Sequence, residues 1–100
     1  MVANYNNKIY VVGGELENTG ARTNLFEVYD PLSDSWETLT PMSTARECDI
    51  ALFDDKIYAI SGFDGSSDLN KVEVYDIIND SWSERPEMPY GLSAYHLASF

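Results

Sequence analysis

The sequence predicts an all-β protein of two four-stranded antiparallel sheets. Two observations carry this. The first is an internal repeat: Lys8–Ile9–Tyr10 recurs as Lys56–Ile57–Tyr58, 48 residues on, and Glu27–Val28–Tyr29–Asp30 recurs as Glu73–Val74–Tyr75–Asp76, 46 residues on. Asp34–Ser35–Trp36 returns as Asp80–Ser81–Trp82, again 46 on, so the offset drops by two inside one loop only, as an insertion in a surface connection does. The second is periodicity: apolar residues alternate or run in short blocks of strand length, and helical spacing is weak.

Each element follows in order. Met1 to Tyr5 has strand character but is short. Lys8 to Val12 and Lys56 to Ile60 are apolar on both faces, which suits strands sandwiched between two layers. Both runs lead into small residues, Gly13–Gly14 and Ser61–Gly62. Where the first of these positions requires positive φ, Gly13 is at ease and Ser61 strained. Leu25 to Tyr29 and Lys71 to Tyr75 are the third strands of each repeat, and Ser35 to Thr38 and Ser81 to Glu84 the fourth, carrying Trp36 and Trp82. Glu47 to Phe53 opens the second repeat. Asn6–Asn7 and Asp54–Asp55 are tight-hairpin residues that tolerate positive φ.

Composition narrows the function. The chain has 100 residues, 44% hydrophobic, enough for a core, and a net charge of −11. That charge opposes binding to nucleic acid and to anionic membrane surfaces, both of which require a basic face. No apolar run approaches bilayer length. Met1 is not followed by a basic and then an apolar segment, so cytoplasmic residence is expected. Cys48 is the single cysteine and His96 the single histidine, which excludes an internal disulfide and gives no basis for a metal site or other cofactor.

The motif order resembles the kelch-repeat β-propeller family: a short strand ending in Gly–Gly, a polar loop, a strand ending in Tyr–Asp, a turn and a Trp. The period matches kelch, near 50 residues. The resemblance covers essentially the whole chain and implies kelch-type blades with strands A to D from the centre outward. Repeat one would span about 1–45 and repeat two about 46–91, with 92–100 the first strand of a further blade. Gly13, Gly14, Tyr29, Trp36, Gly62, Tyr75 and Trp82 are then structural, and truncating either Trp should cost several kcal/mol, about 3–5. Two blades do not close a ring, since propellers use roughly 4–8. Two expectations follow. The chain is part of a longer propeller, which is favoured because neither end looks capped, or copies close head to tail as a homo-oligomer.

In such blades the A–B and C–D loops emerge on one side. That side holds Asp30, Asp34, Asp54, Asp55, Asp76 and Asp80, for which turn chemistry is a sufficient account. The B–C and D–A loops emerge on the other, with all three arginines of the chain, Arg22, Arg46 and Arg85. Arginine pairs bidentately with carboxylates and is enriched at binding hot spots. Phe63 and Tyr90 add aromatic anchors there. BTB–kelch proteins commonly bind peptide segments across the equivalent loops. The resemblance therefore implies binding roles for Arg22, Arg46, Asp64, Ser66, Ser67, Arg85 and Tyr90, and a protein or peptide partner, as in ubiquitin-ligase substrate adaptors or actin-associated kelch proteins. The competing reading for each arginine is a salt bridge to a neighbouring acid. The alternative class is an enzyme scaffold, a copper oxidase or a sugar mutarotase or sialidase-like protein. Glu47 and Asp49, on one face of strand A, are its nearest candidate pair, but no sequence cue raises either pKa, so solvated channel carboxylates are the favoured account of them.

Overall fold

The computed structural model describes residues 1–87. Tyr90 and the strand expected over 92–100 lie outside the described residues. The first sheet has the order β1(Val2–Tyr5), β2(Lys8–Glu15), β3(Arg22–Asp30), β4(Ser35–Thr38). The second repeats it as β5(Glu47–Phe53), β6(Lys56–Phe63), β7(Asp68–Asp76), β8(Ser81–Arg85). Every neighbouring pair is antiparallel, and residues 39–46 carry the chain from one sheet to the other.

The turns follow their sequences. Asn6, Asn7, Asp54 and Asp55 all have positive φ, between 51° and 65°, as two-residue hairpins that match strand twist require. The inner strands run further than the apolar blocks alone predict. β2 and β3 extend to the Glu15↔Arg22 pair, and β6 and β7 to Phe63↔Asp68, each past a register shift beside the small-residue pair. Gly13 sits at one shift with φ +56° and Ser61 at the other with φ +55°. The serine therefore occupies the left-handed region in the second repeat. Both sites are bulges that bend the strand and let the chain approach a neighbour closely.

The core lies between the sheets. Tyr10, Val12, Phe26 and Val28 of the first meet Cys48, Ile57, Ala59 and Tyr75 of the second, with Met42 of the connection buried among them. Phe26 packs edge-on against Tyr75 and Trp82, at centroid distances of 4.5 and 5.3 Å. The Trp82 indole N–H donates to the Thr40 carbonyl at 2.7 Å. Trp36, its counterpart in the repeat, is 59% exposed, because it stands on the face of the first sheet turned away from the second. The equal packing roles expected of the two tryptophans are therefore corrected: only Trp82 is at the interface within the described residues.

Candidate functional site

Arg22 and Glu15 are directly opposite each other at the ends of β3 and β2. On the second sheet Glu47 faces Phe63 in the same way, at the ends of β5 and β6. The sheets bring these two pairs together. Arg22 Nη2 lies 3.3 Å from Glu15 Oε2 and 2.9 Å from Glu47 Oε1. Its Nη1 donates to the Gly20 carbonyl at 2.9 Å. The guanidinium carbon is 4.9 Å from the centroid of the Phe63 ring, within reach of a cation–π attraction. The side chain is 18% exposed, and its Nε, buried, has no hydrogen-bond partner. Arg22 thus joins the two sheets at the loop edge while keeping part of its donor set unused.

Asp64, Ser66 and Ser67 form the adjoining turn between β6 and β7. Asp64 Oδ1 accepts from the Ser66 and Ser67 backbone N–H groups at 2.8 and 2.9 Å. Those N–H groups, Ser67 first, hold the Asp64 carboxyl below the usual carboxylate range, with the Arg22 charge a smaller contribution in the same direction. Gly65 lies over Arg22, since a Cβ there would stand 3.9 Å from Nη1. Beside the arginine opens a cleft of about 320 Å³, lined by Glu15, Glu47, Cys48 and Asp49 among others. Glu47 and Asp49 do not act as a simple alternating pair, because the register shifts between them: Glu47 turns to Arg22, and Asp49 is buried. Burial pushes the Cys48 thiol up, consistent with an inert core residue.

Arg46 is not part of this surface. It is fully buried, so its place among the contact residues is corrected. Its backbone belongs to the first sheet, with N–H donated to Thr23 O and the carbonyl accepting from Gly14 N–H, both at 3.2 Å. Its guanidinium belongs to the second: Nε donates to Ser61 O at 2.8 Å, Nη2 to Ala59 O at 3.2 Å, and Nη1 pairs with Glu73 Oε1 at 2.7 Å. The Ser43 N–H donates to the other Glu73 oxygen at 3.3 Å. Arg85 is exposed, and among the described residues its side chain bonds within its own strand, to Ser83 Oγ and Glu84 O, away from the Arg22 cluster.

Sequence reasoning placed Arg22, Asp64, Ser66 and Ser67 together. It read Glu47 as one of a candidate pair with Asp49 rather than as an anchor of Arg22, and it assigned no site role to Glu15 or Gly65. The legible signal was register, since extending the β2–β3 hairpin past the bulge brings Glu15 opposite Arg22. On the opposite side, the aspartates serve turns. Asp30 and Asp76 accept from backbone N–H groups two residues on, and Asp34, Asp80 and Asp55 accept from Tyr29, Tyr75 and Tyr5. Among the described residues no group of three or more His, Cys, Asp and Glu side chains is placed to hold a metal ion.

A family model for the Kelch motif matches residues 2–43 and 46–89. The chain is 34% identical over 98 residues to the spermatocyte protein spe-26 of Caenorhabditis elegans, covering 93% of this chain and 17% of that protein. It is 40% identical over 67 residues to Kelch-like protein 4 of Homo sapiens, covering 66% of this chain and 9% of that protein. The chain therefore spans less than a fifth of the length of these relatives. The solved structure of YjhT shares the fold, with a TM-score of 0.78 over 92% of this chain and 39% of its own, at 18% identity. With two matched motifs, each a four-stranded antiparallel sheet, the chain belongs to the Kelch-motif family and forms two blades of a β-propeller.

Proposed function

We propose that the chain is a protein-interaction module whose β2–β3 and β6–β7 connections, with the segment entering β5, receive a peptide segment of a partner protein. The observation that carries this reading is Arg22: a cation fixed between two sheets by Glu15, Glu47 and Phe63 while its side chain stays partly exposed. A cation already ordered loses little side-chain entropy when a partner carboxylate or carbonyl docks against it. Asp64, Ser66 and Ser67 supply exposed polar groups beside it; exposed Arg85, and Tyr90 from outside the described residues, complete the proposed set. Similarity to Kelch-like proteins supports a binding role of the kind held by substrate adaptors of ubiquitin ligases.

Peptides selected on the immobilised chain from a random library provide the test. Arg22→Ala should weaken the selected peptides about 30-fold, the size of a hot-spot loss. Lys71→Ala, an exposed pair with Glu84 on the outer strands, should leave binding unchanged. Equal binding to the Arg22→Ala chain, with its thermal midpoint retained, refutes the loop face as the site.

A further inference from the structure

The two most exposed large hydrophobic side chains among the described residues are Leu32 and Ile78, at 90% and 73% of full exposure. They lie 46 residues apart, the offset that separates Trp36 from Trp82, so they hold the same position in the two repeats. Each stands on the turn that joins the third strand of its sheet to the fourth, past the end of β3 at Asp30 and of β7 at Asp76. Val2, Trp36 and Phe53 are also exposed, but they lie within strands. Leu32 and Ile78 therefore sit beyond the sheet faces, and Leu32 is at the other end of β3 from Arg22.

The turns do not need these side chains. Asp30 Oδ1 accepts from the Leu32 N–H at 3.0 Å, and Asp76 Oδ1 from the Ile78 N–H at 3.1 Å. Both are bonds to backbone and are indifferent to the side chain beyond. Asp34 and Asp80, at positive φ, close the same turns by accepting from the Tyr29 and Tyr75 hydroxyls. Such positions favour Gly, Pro, Asn, Asp and Ser. The core takes its apolar group from the neighbouring Ile77, which packs against it and donates its N–H to Asp55 O at 3.4 Å. Turn chemistry thus accounts for the aspartates, but not for an aliphatic side chain held in water at the same place in both blades. A lone exposed apolar residue needs no explanation; a repeated pair on fixed turns does.

Charge selects the kind of surface that fits them. Asp30 and Asp34 flank Leu32, and Asp76 and Asp80 flank Ile78. The groups that donate to these four carboxylates are neutral N–H and O–H groups, and among the described residues none of the four is in an ion pair, so their charge is not spent. The hairpin beside them adds Asp54 and Asp55, against Lys56, which stands opposite Asp76, and Lys8 in the first sheet. We infer that the turns carrying Leu32 and Ile78 form a second interaction surface, which receives a basic protein segment. Its apolar side chains rest on Leu32 and Ile78, and its Lys or Arg residues pair with the flanking aspartates. The same charge opposes an anionic membrane. Turns already fixed by their own hydrogen bonds lose little entropy on docking. The inference does not depend on the loop face being a binding site.

A random peptide library selected on the immobilised full chain, and in parallel on the Leu32→Ser/Ile78→Ser chain, tests it. Peptides kept by the unmodified chain and lost from the double variant should carry Lys or Arg interleaved with large apolar residues. With those peptides as synthetic probes, Leu32→Ser and Ile78→Ser should each weaken binding about tenfold, the effect of losing one buried aliphatic side chain. Leu32→Ile and Ile78→Leu should retain it, and added salt should weaken it. The thermal midpoint should hold in every variant, because both side chains are exposed. The set lost from the double variant should differ from the set lost from Arg22→Ala. A double variant that keeps every peptide the unmodified chain keeps overturns the inference. So does a lost set that is acidic or uncharged, or one that Arg22→Ala loses as well.

Discussion

Arg46 ties the two blades together from the inside. Its guanidinium gives up water entirely and recovers it in four contacts: Ser61 O, Ala59 O, Thr44 O and Glu73. Removing one member of a buried pair leaves the other charge uncompensated, so Arg46→Met should destabilise by about 3–5 kcal/mol in urea unfolding. Arg46→Met with Glu73→Leu should recover most of that loss. A double variant no better than the single one would show that the backbone contacts of Arg46, rather than its charge, matter. Ser61 gives the opposite sign. Its φ of +55° is strained for serine, so Ser61→Gly should stabilise by about 1 kcal/mol, read as a higher urea midpoint at constant slope. The sequence placed Arg22 and Arg46 alike on connections. Only the path of residues 39–46 beneath Glu73 separates a surface arginine from a buried one.

At the level of elements, β5 and β6 approach each other where only glycine fits. A Cβ on Gly62 would lie 1.9 Å from the Glu47 carbonyl oxygen, which is backbone and cannot swing away. Gly62→Ala should therefore push β5 outward and cost about 3 kcal/mol or more. Gly14→Ala, at the same place in the first sheet, meets nothing within 4 Å and should cost only its φ strain, about 1 kcal/mol. The tryptophans divide in the same way. Trp82→Ala loses the Phe26 and Tyr75 packing and the bond to Thr40, about 3–5 kcal/mol. Trp36→Ala, at an exposed position, should cost under about 1 kcal/mol. Chemical denaturation of the four variants checks both contrasts. The repeat identified both tryptophans and both small-residue pairs, but it assigns equal environments to residues that the fold covers unequally.

Over the whole molecule, titration should limit stability at both ends of the pH scale. Hydrogen bonds from Ser67, from the Asn79 side chain and from Lys71 hold Asp64, Asp76 and Glu84 below their ordinary range. A depressed carboxyl stabilises above its unfolded value, and that contribution is lost as pH falls through about 4 toward the folded value. At the alkaline end, burial first and then the Asp80 hydrogen bond push the Tyr75 phenol up, and Tyr5, Tyr10 and Tyr29 move the same way. Above about pH 10 the unfolded chain releases these protons while the folded chain holds them, so stability must fall as pH rises. Thermal midpoints should decline on both sides, and Tyr75→Phe should flatten the alkaline limb. An alkaline limb of unchanged slope in that variant would assign the loss to the other tyrosines.

The sequence by itself determined the strands, their order, the turn residues and the two-blade repeat. Those features rest on local chemistry: alternation, Asn and Asp at positive φ, and aromatics recurring at a fixed spacing. Only the tertiary structure decided which arginine stays partly exposed at the loop edge and which is sealed, and which tryptophan packs. Those outcomes depend on one sheet covering another, and no local pattern records what lies across an interface.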